Sequence, residues 1–213
     1  MDDMRNLILS KNKSYWNNFY KSKISKSLVG NSNFANFTLN IIKNVFYSED
    51  ILPTKTLLDI GCGNGRDTYY FRDNGIEANG IDLSCNINLP YFRQIDALSL
   101  LEKHDIYYLR FFLHTLEEHQ MNQLMKNLLE SMSDESYIFI ETRSTHGITD
   151  LEKSETNFCS KIGKNHFRML YSHHYLEEKF KKDFKIIFSM EDIGFAPFRG
   201  EDPFTIRMIL AKK

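Results

Sequence analysis

The sequence predicts an open α/β fold, a largely parallel sheet with helices on both faces and a ligand crevice at the carboxyl ends of its strands. Three observations carry that expectation. The apolar run Leu57-Leu58-Asp59-Ile60 ends in a glycine turn, Gly61-Cys62-Gly63-Asn64-Gly65. A helix-compatible segment follows, and a second short strand closes on Gly80-Ile81-Asp82, with Asp82 23 residues beyond Asp59. Together these form a β-α-β unit. Glycines let the backbone turn sharply and approach a ligand closely, and Asp82 stands where a carboxylate accepts hydrogen bonds from a ribose diol.

The elements are expected in the following order. An aromatic lead-in, Ser14 to Tyr20, precedes a polar loop, and Phe34 to Phe46 carries apolar residues at helical spacing. Strand Thr56–Ile60 leads through the glycine turn into a helix over Asn64–Arg72, and strand Glu77–Ile81 follows. Tyr91–Ala97 reads as a short strand ending near Asp96, and Ile106–Leu109 as a strand ending at Arg110. Thr115-x-x-Glu118 has the form of a capping box, and Met121, Leu124, Met125, Leu128 and Met132 make the core-facing stripe of the next helix. Tyr137–Thr142 forms a strand ending at Arg143. Ser144 to Arg168 carries no defined element. A helix over Ser172–Lys182 precedes two alternating strands, Lys185–Met190 and Thr205–Leu210, joined through Gly194, Pro197, Gly200 and Pro203. With no repeat, linker or low-complexity segment, residues 1–213 read as one domain, with 1–50 as a helical cap on a 51–213 core.

Composition narrows the function. A chain of 213 residues can bury a full α/β core. A formal net charge of -1 argues against nucleic acid as a partner, since non-specific binding needs a basic excess. Cys62, Cys85 and Cys159 lack paired or metal-ligand spacing, so they read as reduced thiols in a cytoplasmic protein without a metal. No signal-peptide core is evident, and no apolar run approaches the ~20 residues that a membrane span needs.

The spacing of the glycine turn separates two cofactor classes. A dinucleotide fingerprint reads G-x-G-x-x-G, but here the place of its third glycine holds Arg66. The pattern D-x-G-x-G-x-G from Asp59 to Gly65 resembles motif I of the class I S-adenosylmethionine (SAM)-dependent methyltransferases. That resemblance implies SAM as cofactor, S-adenosylhomocysteine as product, and a Rossmann-like sheet ordered 3-2-1-4-5-7-6 with its last strand antiparallel. It also implies roles for individual residues. Gly61, Gly63, Asn64 and Gly65 would wrap the methionine part, and Asp59 would orient the turn or meet the amino group. Asp82 would hold the ribose hydroxyls, Leu83 would pack on adenine, and Asp96 with the Ala97 amide would reach the adenine edge. Asp96 reads alternatively as a solvated turn acid. Arg66 either pairs with the methionine carboxylate or lies on the helix surface. Trp16, with Tyr15 and Tyr20, either forms a lid or anchors the N-terminal helix.

The acceptor side is read from arginines and histidines. Lysines outnumber arginines 18 to 9, yet Arg110 and Arg143, each closing a strand, and Arg168 and Arg199 are the cations expected near the active-site mouth. Guanidinium groups there suit bidentate capture of a phosphate or carboxylate. The alternative is pairing with local acids: Glu141 for Arg143, Glu201 or Asp202 for Arg199. His114, one helical turn beyond Arg110, and His166, beside Arg168, are the candidate bases. His146 is a weaker one, and His173 and His174 read as first-turn surface residues. Arg110-Phe111-Phe112-Leu113-His114, Glu141-Thr142-Arg143-Ser144, His166-Phe167-Arg168 and Gly200-Glu201-Asp202-Pro203 resemble a methyltransferase group associated with bacterial capsule and surface-polysaccharide biosynthesis. This narrower resemblance implies a carbohydrate acceptor bearing a phosphate or phosphoramidate. No Asn/Asp-Pro-Pro-Tyr/Phe segment follows the strand at Arg110, which speaks against nucleic-acid methylation. A small-molecule enzyme of the tellurite or thiol-methylating kind and a non-catalytic SAM-binding regulator are the rival readings. The sequence leaves the oligomeric state open.

Overall fold

The computed structural model describes residues 13–22, 29–48, 50–99, 101–147, 158–159, 167–198 and 200–213. Its helices are α1 (13–21), α2 (Asn33–Ile41), α3 (Arg66–Asp73), α4 (Glu118–Ser131) and α5 (His173–Phe180). Its strands are β1 (Thr56–Ile60), β2 (Glu77–Ile81), β3 (Phe92–Arg93), β4 (Ile106–Arg110), β5 (Tyr137–Arg143), β6 (Phe158–Cys159), β7 (Phe167–Arg168), β8 (Phe184–Asp192) and β9 (Thr205–Lys212). Seven of them form one sheet in the order β3-β2-β1-β4-β5-β9-β8. Strands β1 to β5 run parallel, and β9 lies antiparallel between β5 and β8. Numbered within that sheet alone, this is the 3-2-1-4-5-7-6 order that the resemblance implies.

The alternation of side chains across the strands builds two cores. Leu58, Ile60, Tyr107, Leu109, Ile138 and Ile140 point to one face, where Met121, Leu124 and Leu128 of α4 and Leu176 and Phe180 of α5 cover them. Leu57, Ile106, Tyr108 and Phe139 point to the other, under Phe34, Ala35 and Leu39 of α2 and Phe71 of α3. Both faces of β1 and β4 are covered, which is why these strands read as continuous apolar runs. Each fully buried leucine or isoleucine contributes about 1.5–3 kcal/mol.

One buried carboxylate fastens two helix starts beside the glycine turn. Ser32 caps α2 by accepting from the Ala35 amide at 3.0 Å. Its own amide and hydroxyl each donate to Asp67, in the first turn of α3, at 2.7 Å. The Tyr108 hydroxyl of β4 donates to the same carboxylate at 2.8 Å.

Several boundaries differ from the sequence expectation. Gly65 takes φ +75° as the N-cap of α3, so the helix starts at Arg66 rather than Asn64. The expected strand over Tyr91–Ala97 shrinks to Phe92–Arg93, because Asp96 accepts from the Leu98 amide at 2.9 Å and turns the chain. The capping box opening α4 is Glu117 with Gln120, not Thr115 with Glu118. Thr115 belongs to the preceding 3₁₀ turn, Leu113–Thr115, and its hydroxyl donates to the Phe112 carbonyl. The helix expected over Phe34–Phe46 is α-helical to Ile41 and continues as a π turn, Ile42–Phe46. Within the segment that showed no element, β6 and β7 pair antiparallel.

Candidate active site

A cavity of about 730 Å³ opens at the carboxyl ends of β1, β2, β4 and β5, within the range usual for ligand pockets. The glycine turn forms one end. Arg143, Arg168 and the connection between β8 and β9 form the other, and α1 contributes Tyr15, Trp16, Phe19 and Tyr20.

The glycine-turn end is set by backbone geometry. Gly61 and Gly63 hold φ of +79° and +57°, and the Gly61 and Cys62 amides donate to the Ile81 carbonyl at 2.8 and 3.1 Å. A methyl group on Gly61 would come within 2.5 Å of the Phe112 ring, and one on Gly63 within 2.3 Å of the Tyr20 hydroxyl. The turn is therefore packed from both sides. Asp82 closes β2 and accepts from the Gly63 amide at 3.1 Å and the Ser84 amide at 2.6 Å. Burial raises its pKa, and those two amides oppose the rise. Each of its oxygens keeps a lone pair that a diol can use.

Asp59 lies beneath the turn and accepts from the Thr68 hydroxyl at 2.6 Å. Burial, reinforced by the neighbouring Asp67, pushes its pKa up to about 8. Leu83 is 41% exposed, so an apolar face is available beside Asp82. Asp96 and the buried Ala97 line the wall below it. Arg66 opens α3, with its Nε 3.9 Å from Asp67. Burial lowers its pKa and the Arg110 charge lowers it further, and both arginines line the cavity.

The arginine end is built from side chains. Arg143 ends β5 and Arg168 ends β7, and both line the cavity. Burial, then the adjacent Arg143 charge, bring the Arg168 pKa down to about 10, while Tyr15 and Glu201 oppose the fall. Burial also lowers the Arg143 pKa, against Glu201. Guanidiniums lining a cavity can receive an anion bidentately. His114 is buried on the same wall, with its Nδ1 3.5 Å from the Thr142 hydroxyl.

Residues 40–183 match the model of a family described as a methyltransferase domain. The chain belongs to that family. It is a SAM-dependent methyltransferase with the class I sheet order. Solved structures share the fold. A SAM-dependent methyltransferase from Methanosarcina mazei is 17% identical, with a TM-score of 0.63 over 78% of this chain and 94% of that one. The Burkholderia thailandensis 1,6-didemethyltoxoflavin-N1-methyltransferase, solved with 1,6-didemethyltoxoflavin and S-adenosylhomocysteine, is 16% identical, with a TM-score of 0.59 over 84% and 87%. A glycopeptide N-methyltransferase complexed with SAM is 13% identical, with a TM-score of 0.61 over 87% and 96%. None of the curated proteins searched is significantly similar in sequence.

The methyltransferase brings most of the sequence-predicted site residues to this one cavity. Trp16, Asp59, Gly61, Gly63, Asn64 and Arg66 line it, as do Asp82, Leu83, Asp96 and Ala97 and the arginines Arg110, Arg143 and Arg168 with His114. Gly65 does not line it. A methyl group there would meet Phe92 at 2.5 Å and Ile87 at 2.8 Å, so Gly65 serves the helix start and its packing. His166 and Arg199 lie outside the described residues. His146 sits away from the cavity wall, stacked on Phe204 at 3.7 Å and 3.0 Å from Glu191. His173 is not a bare surface residue, since its Nε2 lies 2.6 Å from the Ser189 hydroxyl.

The local acid proposed for Arg143 belongs elsewhere. Glu141 accepts from Arg110 Nε at 3.0 Å and from Arg207 Nε at 2.8 Å. Glu141 sits in register between Arg110 on β4 and Arg207 on β9, so its two cross-strand neighbours take it rather than Arg143, two residues further along the same strand. Arg207 also donates to the Phe195 carbonyl at 3.0 Å, tying the β8–β9 connection to the sheet. Sequence reasoning missed this strut because Glu141 and Arg207 are 66 positions apart. It also missed Phe111, whose φ of +52° makes it the only non-glycine residue with positive φ among the described residues.

Proposed function

We propose that this methyltransferase transfers the methyl group of SAM to an anionic acceptor oxygen, a phosphate or phosphoramidate on a carbohydrate intermediate. The observation that carries the reading is that Arg143 and Arg168 both line the cavity that the glycine turn opens into. SAM, when bound, supplies a methyl group already activated as a sulfonium, so alignment and exclusion of water are the protein's main task. At the glycine-turn end, Asp82 takes the ribose diol, and Leu83 with Asp96 and Ala97 takes the adenine. Arg66 and Arg110 face the methionine carboxylate, which moves Arg110 from the acceptor to the cofactor. Tyr20, resting on Gly63, and Trp16 close the site from α1, which works as a lid.

An anionic oxygen needs no strong base, and Arg143 and Arg168 orient it. A sugar hydroxyl is the second reading, favoured by His114, the one histidine on the cavity wall among the described residues. The resemblance of the arginine and histidine segments to capsule-associated methyltransferases supports a role in surface-polysaccharide synthesis. Two free thiols, Cys62 and Cys85, suit a reducing compartment. Incubation with SAM and a panel of sugar phosphates, nucleotide sugars and phosphoramidates tests the proposal by release of S-adenosylhomocysteine. Turnover of neutral or thiol acceptors alone would refute it. A flat pH–rate profile supports the anionic oxygen, and an acidic limb in the histidine range supports the hydroxyl.

A further inference from the structure

Three consecutive residues, Arg110, Phe111 and Phe112, line one cavity. An extended strand cannot do this, because successive side chains leave opposite faces. The chain achieves it by placing Phe111 at φ +52°, while the Phe111 amide extends the β4–β5 ladder by donating to the Glu141 carbonyl at 2.7 Å. Phe112 then packs on Gly61. The Phe111 ring instead meets two cations, its centroid 4.6 Å from Arg110 Cζ and 6.0 Å from Arg143 Cζ. The His114 ring is 5.6 Å away on the same wall. A bulky residue held in a sparsely populated backbone region, at the junction of two charged groups in a cavity, points to a function that maintains it.

We infer that Phe111 is a positioning residue for the acceptor. Its ring touches the guanidiniums of both Arg110 and Arg143 and holds the Arg143 fork in the cavity, where with Arg168 it meets an incoming anion. Without the ring, Arg143 loses that support and the anion is held less tightly. This inference rests on the anionic-acceptor reading. Its commitment is specific: the ring matters for the anion, and the backbone strain is only the means of placing it.

Pyrophosphate serves as the anion probe, titrated by calorimetry into wild-type protein loaded with S-adenosylhomocysteine. The variants are Phe111→Gly, Phe111→Ala and Phe111→Tyr. Glycine relieves the positive φ and alanine keeps it, while both remove the ring. Both should weaken pyrophosphate by about fivefold or more, with S-adenosylhomocysteine affinity within about twofold of wild type. Phe111→Gly should melt higher than Phe111→Ala, and Phe111→Tyr should restore pyrophosphate binding. Unchanged pyrophosphate affinity in the glycine variant overturns the inference while leaving the anion site standing. Equal loss of both ligands also overturns it, since the ring would then belong to the cofactor cradle. Wild-type protein that binds no pyrophosphate overturns the anionic-acceptor reading and this inference with it.

Discussion

At the glycine turn, Gly61 and Gly63 hold positive φ within three residues of chain, and the amides around them bond to the end of β2 and to Asp82. At the opposite end of the same cavity, Arg143, Arg168 and Glu201 arrive from β5, from β7 and from the connection before β9. The first end is made of backbone fixed by neighbouring strands, and the second of side chains brought together from distant segments. A backbone site fails when a Cβ is added. A side-chain site fails when a charge or its support is removed. Glu141 links the two ends through Arg110 and Arg207.

The largest effect should come from that link. Glu141→Gln leaves two largely buried guanidiniums without their shared counter-charge, and should cost about 3–5 kcal/mol of stability in chemical denaturation. A loss below about 1 kcal/mol would mean that the two ends are energetically independent. Next in size, Gly61→Ala should weaken S-adenosylhomocysteine about a hundredfold, combining about 1–2 kcal/mol of left-handed strain with the approach to Phe112. Retained affinity would show that the turn adapts, so that the contrast between the ends is false.

Asp82→Ala removes a charge-assisted acceptor and should weaken the same ligand by about tenfold. Calorimetry giving wild-type affinity would take Asp82 out of the site. Arg143→Lys keeps the charge but loses the planar fork, and should reduce pyrophosphate affinity several-fold while sparing S-adenosylhomocysteine. A change in the cofactor product alone would place Arg143 at the wrong end.

The remaining test concerns Asp59 and is read against pH. Its folded pKa of about 8 lies above its unfolded value, so the folded state holds the extra proton across that interval. The associated stability is full below about pH 4 and is lost as pH rises through about 8. Wild-type protein should therefore melt progressively lower from pH 6 to pH 9, and Asp59→Asn should flatten that slope. Parallel slopes in the two proteins would show that Asp59 is already ionised at pH 6.

Local pattern made the glycine-turn end legible. Asp59, Gly61, Gly63 and Asp82 are short-range punctuation of a strand-turn-helix-strand unit, and their spacing constrains the geometry almost alone. The sheet order followed from the resemblance that this motif carries, and the paired terminal strands fitted it. The arginine end was legible only as a set of candidates. Residue type and position placed Arg143 and Arg168 near the active-site mouth, but nothing local says that both line one cavity, or that Glu141 is taken by Arg110 and Arg207.

What the sequence determined by itself was the class of the fold, the cradle and the chemistry of the cofactor, because each depends on contacts between residues close in the chain. What only the tertiary structure decided was which arginines line the cavity and what each one meets: Arg110 on Glu141, and Arg110 and Arg143 against the Phe111 ring. That arrangement depends on strand register and on one positive φ. Neither is written in residue type, because register is fixed by pairing across the sheet and the strained φ by the surroundings that hold it.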